Sequence, residues 1–135
     1  MTRFLLDTNV ISDFFKLHPV VTVHFQSVPP AWLAISTVTV MEIEYGFGRQ
    51  PDALRRYGAL WEALQADLQV LPYEAADAVQ TARVRAHLAR LGTPIGPFDL
   101  QLAGTALSRG LTVVTHNTGE FRRVPDLRVE DWWLP

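Results

Sequence analysis

The chain has 135 residues, 48% hydrophobic and 19% charged, with a formal net charge of -2. That length suits one domain, residues 1–135, able to bury a sizeable core, and leaves no room for a second. The lack of cysteine excludes disulfides and thiolate metal centres, and no apolar run is long enough for a membrane span or a signal-peptide core, so a soluble cytoplasmic protein with no membrane contact is expected.

Short β-rich runs alternate with helical periodicity along the whole chain. Arg3 to Asp7 reads as a strand, followed by a helix from about Val10 to Leu17. Pro19 opens a second helix that Pro29-Pro30 stops near Val28, since proline fits the first turn but not the interior. Trp32 to Ser36 is the next strand, and Ser36 or Thr37 caps a helix carrying Val38, Met41, Tyr45 and Phe47 as far as Gly48. Asp52 to Asp67 is amphipathic, with Leu54, Tyr57, Leu60, Trp61 and Leu64 on one stripe. A short strand, Leu68 to Leu71, leads into the longest helix, Glu74 to Leu91, which Gly92 ends. Gly96 and Pro97 open a helix to about Ser108, Leu111 to Thr115 is a buried strand, and Leu127 to Val129 adds an edge. This order predicts an α/β fold with right-handed crossovers and a parallel sheet of four to five strands between helices.

Three carboxylates lie where such a sheet collects functional groups, at strand ends and helix starts. Asp7 ends the first strand; it could cap the following helix, but Thr8 or Asn9 can fill that role. Glu42 and Glu44 lie about 200° apart around their helix, so they face opposite ways. Glu42 shares a side with Val38, Met41 and Tyr45, where an acid is costly unless paired or bound to metal, whereas Glu44 reads as a solvated charge. Asp99 leads a strongly apolar helix behind a Gly-Pro turn. Thr115 and Asn117 follow the last long strand and could supply neutral oxygens, and Glu120 reaches the same place if its segment curls into a helical turn. Converging acids of this kind suit a hard divalent cation such as Mg2+ or Mn2+. Neither G-x-x-x-x-G-K-[ST] nor G-x-G-x-x-G occurs, and the sole lysine, Lys16, is misplaced for a receiver or phosphatase site. His18, His24 and His87 read as surface or packing residues, and His116 stands beside the expected cleft.

LLDTNV, S-x-V-T-x-x-E-x-x-Y-G, G-T-P-I-G-P-F-D with its following A-G, V-V-T-x-N-T-x-E-F-x-R-V-P and the closing E-D-W occur in this order from Phe4 to Trp132. Together they resemble the PIN-domain ribonucleases of the VapC toxin type. The resemblance implies a PIN-like three-layer α/β/α fold and a magnesium- or manganese-dependent endoribonuclease toxin that hydrolyses RNA phosphodiester bonds, with a transfer RNA as the expected substrate. It further implies inhibition by a VapB-type antitoxin, a homodimer, and a heteromeric complex with that antitoxin. By position, Asp7, Glu42 and Asp99 match the family's acidic triad, with Asp7 and Asp99 as metal ligands. The fourth position, often Asp in the family, is Asn117 here, which leaves Glu120 to compensate and Thr115 as an accessory group. Arg83, Arg85 and Arg122 are candidate phosphate contacts. The alternative is a PIN-fold module that binds RNA or protein without cutting.

Overall fold

The structure, a computed structural model, describes residues 1–135. In chain order the elements are β1 (Phe4–Leu6), α1 (Thr8–Phe15), α2 (Pro19–Ser27), a 3-10 turn (Pro30–Trp32), β2 (Leu33–Ser36), α3 (Thr37–Arg49), α4 (Pro51–Asp67), β3 (Gln69–Leu71), α5 (Ala75–Leu91), α6 (Pro97–Arg109), β4 (Thr112–Val114), α7 (Thr118–Phe121) and β5 (Val129–Glu130). The five strands form one sheet in the order β3-β2-β1-β4-β5, and every neighbouring pair is parallel.

The period-2 alternation of the central strands divides the core into two halves. Leu5 pairs with Ala34 and Val113 across the sheet, and these three face a core built with Val84, Leu88, Leu102 and Ala106 of α5 and α6. Leu6, Leu33, Ile35 and Val114 face the other way, onto side chains such as Ile11, Phe15, Phe47 and Trp61. Strands buried on both faces between helical layers are what an all-parallel sheet requires.

From β1 the chain steps outward to β2 and β3, then returns through α5 and α6 to β4 on the opposite side of β1. Connections therefore diverge between β1 and β4, the position at which open parallel sheets gather their functional groups beyond the strands' carboxyl ends.

α5 and α6 pack closely enough to demand a glycine. A Cβ added to Gly104 would lie 2.0 Å from Thr81 Oγ1, 2.7 Å from the Thr81 nitrogen and 2.8 Å from the Asp77 carbonyl oxygen. An ion pair between the half-buried Arg109 and the buried Asp77 reinforces the same contact. Arg109 Nη2 donates to Asp77 Oδ2 at 3.1 Å and to the Pro72 carbonyl at 2.7 Å, while the Glu74 N–H donates to Asp77 Oδ2 at 2.8 Å.

Local details depart from the sequence reading in three places. Helix α1 starts at Thr8 rather than near Val10, because Asp7 itself caps it and accepts the Thr8 N–H. On α3 the buried stripe is Val38, Thr39, Ile43 and Phe47, while Met41 and Tyr45 are exposed. Glu42 therefore lies half-buried at the margin of that stripe and not within an apolar face. Glu44 is more than a solvated charge, since Trp61 Nε1 donates to its Oε1 at 3.1 Å.

Candidate active site

The backbone places the first acid. The Asp7 N–H donates to the Val114 carbonyl at 2.9 Å, carrying the β1/β4 ladder one residue past the strand end and setting Asp7 beside Thr115. Both are buried. Thr115 Oγ1 donates to Asp7 Oδ2 at 2.8 Å, and the Thr8 N–H donates to Asp7 Oδ1 at 2.7 Å. Each oxygen of Asp7 is thus fixed, one by the strand across the switch point and one by the helix that Asp7 caps.

The same threonine positions the next residue. Thr115 Oγ1 accepts the Asn117 N–H at 2.9 Å, and Asn117 Nδ2 then donates to Asp99 Oδ2 and to Glu120 Oε2, each at 3.1 Å. Helix α7 supplies the turn that sequence reading left conditional, and it brings Glu120 to this amide. On the other flank, Thr8 Oγ1 donates to Glu42 Oε1 at 2.6 Å and lies 3.3 Å from Thr39 Oγ1. A neutral network therefore joins Asp7, Asp99, Glu120 and Glu42 from four separate elements. Thr8 is the member that sequence reading missed, treating it only as a possible cap; its signal was a hydroxyl directly after the strand-end acid.

None of these four carboxylates has a cationic partner among the ion pairs of the fold. Burial raises the Asp7 carboxyl above its ordinary value, against the pull of the Thr115 and Thr8 hydrogen bonds, and the Glu42 charge adds to the rise. Asp99 is pushed up to about 7, first by burial, then by the Asp7 charge and by the hydrogen bond and charge of Glu120, with the Asn117 amide opposing. The cluster thus holds more negative charge than its surroundings neutralise.

A ready-made cage of three or more His, Cys, Asp or Glu side chains is absent from the fold. The donor chemistry nevertheless suits magnesium, which keeps several waters and typically takes only one or two protein carboxylates along with substrate phosphates.

Arg83, Arg85 and Arg122 are exposed, and no hydrogen bond or ion pair ties them to the acids. Arg83 borders a depression with His87 and Asp126, and Arg85 borders others between α5 and α6. His116 is exposed, its ring 4.9 Å from that of Trp133 and its Nδ1 3.6 Å from Asp131 Oδ1.

The family model of the PIN domain matches residues 4–127. The chain belongs to the PIN-domain family. Over 132 residues this PIN domain is 43% identical to the tRNA(fMet)-specific endonuclease VapC of Shigella flexneri, covering 98% of the chain and 99% of that protein. It is 31% identical to ribonuclease VapC2 of Haemophilus influenzae (strain ATCC 51907 / DSM 11121 / KW20 / Rd), with the same coverage. Among solved structures it resembles the DNA-bound VapBC of Salmonella typhimurium, with a TM-score of 0.89 and 41% identity over 98% of this chain and 99% of that one. FitAcB of Neisseria gonorrhoeae follows at a TM-score of 0.85 and 28% identity, with the same coverage. The chain is thus a PIN domain of the VapC type, with the α/β/α fold expected from its sequence.

Proposed function

We propose that this PIN domain is an endoribonuclease toxin that uses Mg2+ or Mn2+ to hydrolyse RNA phosphodiester bonds. The observation that carries the reading is the set of four carboxylates without cationic partners, held by Thr8, Thr115 and Asn117 at the β1/β4 switch point.

The roles follow from the hydrogen bonds. Asp7 and Asp99 would hold the cation, Asp7 with both oxygens oriented by Thr115 and Thr8, and Asp99 steered by the Asn117 amide. Bound there, the cation supplies neutralising charge and electrophilic activation of the phosphoryl group. Glu42 gives one oxygen to the Thr8 hydroxyl, while its other oxygen has no hydrogen-bond partner within the protein. That second oxygen would orient an attacking water and accept its proton. Asn117 donates to both Asp99 and Glu120, which an ionised carboxylate at that position could not do. Attack by water, rather than by the ribose 2′-OH, with the ribose 3′-oxygen as the leaving group, would give a 5′-phosphate and a 3′-hydroxyl.

The 43% identity to a tRNA(fMet)-specific endonuclease makes initiator transfer RNA the first substrate to test. The VapBC and FitAB complexes among the similar structures support a VapB-type antitoxin partner that joins a dimer of this chain and silences it. Incubating antitoxin-free protein with total RNA in magnesium or in EDTA, then mapping new 5′ ends, tests the reading. A discrete, magnesium-dependent 5′-phosphate end in a transfer RNA is expected; the same ends in EDTA, or 2′,3′-cyclic phosphates, would overturn it. RNA binding with no cleavage in either condition would leave a binding module.

A further inference from the structure

A groove leads from the acid cluster along the junction of α1, α3 and α4. Its inner end is bordered by Thr8 and Glu42, its middle by Phe15, Phe47 and Tyr57. Its outer end widens into a depression bordered by Lys16, Arg49 and Arg56. Lys16, Gln50, Ala53 and Tyr57 border both parts, so the two form one channel that starts at a proposed catalytic carboxylate and ends among cations.

Those three cations are exposed, and none pairs with a carboxylate. The one acid on the outer rim, Asp52, is engaged by Arg55. In a chain of net charge -2 this is a local excess of positive charge beside the acids. Aromatic rings are interleaved with it. The Arg49 guanidinium lies 5.7 Å from the centre of the exposed Tyr45 ring, and that of Arg56 lies 5.9 Å from Tyr57. Tyr57 is itself stacked on Phe15, with centroids 5.2 Å apart and planes 11° from parallel. Unpaired cations along a groove, with aromatic faces between them, are the two components with which proteins hold a single nucleic-acid strand.

We propose that this channel binds the RNA strand adjoining the scissile phosphate, with Lys16, Arg49 and Arg56 on backbone phosphates and the exposed Tyr45 ring, outside the lining and beside Arg49, as a face for a base. The proposal deepens the ribonuclease reading and rests on it. It adds substrate contacts on α1, α3 and α4 to the candidates Arg83, Arg85 and Arg122. An RNA occupant is favoured over an acidic protein segment because the channel begins beside the proposed catalytic Glu42, and because an exposed ring beside a guanidinium offers a base more than it offers a carboxylate.

The test compares the full-length wild type with R49E/R56E, and with R49Q/R56Q in case charge reversal disturbs folding, checking each by circular dichroism. Transfer RNA is the probe, and KM and kcat in magnesium are measured together with the salt dependence of binding in EDTA. KM is expected to rise at least about tenfold with kcat nearly unchanged, and the slope of log affinity against log salt to become shallower by about 1.4, as loss of two single-strand phosphate contacts requires. Unchanged KM and slope, with magnesium-dependent cleavage intact, would overturn the proposal. So would unchanged KM combined with weaker inhibition by the antitoxin, which would assign the channel to the protein partner. If the wild type bound transfer RNA without cutting it while the variants lost affinity, the groove would stand and the ribonuclease reading would fall.

Discussion

At Asp99 a proton would compete with the proposed cation. With its carboxyl pushed up to about 7 by burial, by Asp7 and by Glu120, it keeps a proton near neutrality unless positive charge arrives. Divalent-cation affinity, read by isothermal titration with Mn2+, is therefore expected to climb as pH rises toward 7 and to level off above it; a flat profile between pH 5.5 and 8 would contradict this. Asn117→Ala removes the amide that donates to both Asp99 and Glu120. Loss of such a supporting hydrogen bond typically costs about 10–100-fold in metal affinity or activity, and that loss is expected here with little change in melting temperature. Asp7 and Asp99 were legible in the sequence because a strand end and a Gly-Pro helix start announce themselves locally. Thr8 was not, because its partner Glu42 lies 34 residues away and only the fold brings them together. Glu42 itself was singled out on an uneven basis: it was placed with Met41 and Tyr45 on a buried face, yet both neighbours are exposed and the acid sits at the stripe's margin.

At the level of elements, the α5/α6 contact carries the clearest mechanical demand. Gly104→Ala would drive a methyl into the Thr81 nitrogen and the Asp77 carbonyl, backbone atoms that do not swing aside. Overpacking of this kind costs about 1–3 kcal/mol, so a lower denaturation midpoint is expected in urea, and an unchanged one would refute the close approach. Nearby, burial works to raise the Asp77 carboxyl, but the Arg109 hydrogen bonds outweigh it, together with the Glu74 N–H and Ser108, and hold it below its ordinary 3.8. A depressed folded value means this contribution is fully present above the unfolded value and is lost as pH falls through the folded one. Asp77→Asn should therefore destabilise the protein at pH 7 and much less at pH 2.5, as thermal melts at the two pH values would show. The helices were legible because proline starts, glycine stops and 3.6-residue periodicity are local signals. α7 was only conditional, since four residues between two strands carry too little periodicity to declare a helix.

For the whole molecule, the sheet order decides where chemistry can happen. With β1 central and connections diverging toward β2 and β4, the residues after β1 and β4 meet, and Asp7 and Thr115 are those residues. The alternation of strands and helices made the parallel sheet legible, but no local signal says which helical face carries unpaired cations. Arg83 and Arg85, picked from the sequence, border depressions along α5. The acid cluster also sets a pH trend for the metal-free protein. Because the folded state keeps a proton on Asp99 that the unfolded chain has released above 3.8, stability in EDTA is expected to fall as pH rises from about 4 toward 7. Magnesium should flatten that fall in a thermal melt. The acids that meet after β1 and β4 are the proposed reaction centre, and single-turnover cleavage of transfer RNA by Asp99→Asn, beside wild type and with melting curves matched, tests that role most directly. Loss of at least about a hundredfold in rate with the fold intact is expected, on the scale of removing one group that stabilises developing charge; wild-type rates from the folded variant would contradict it.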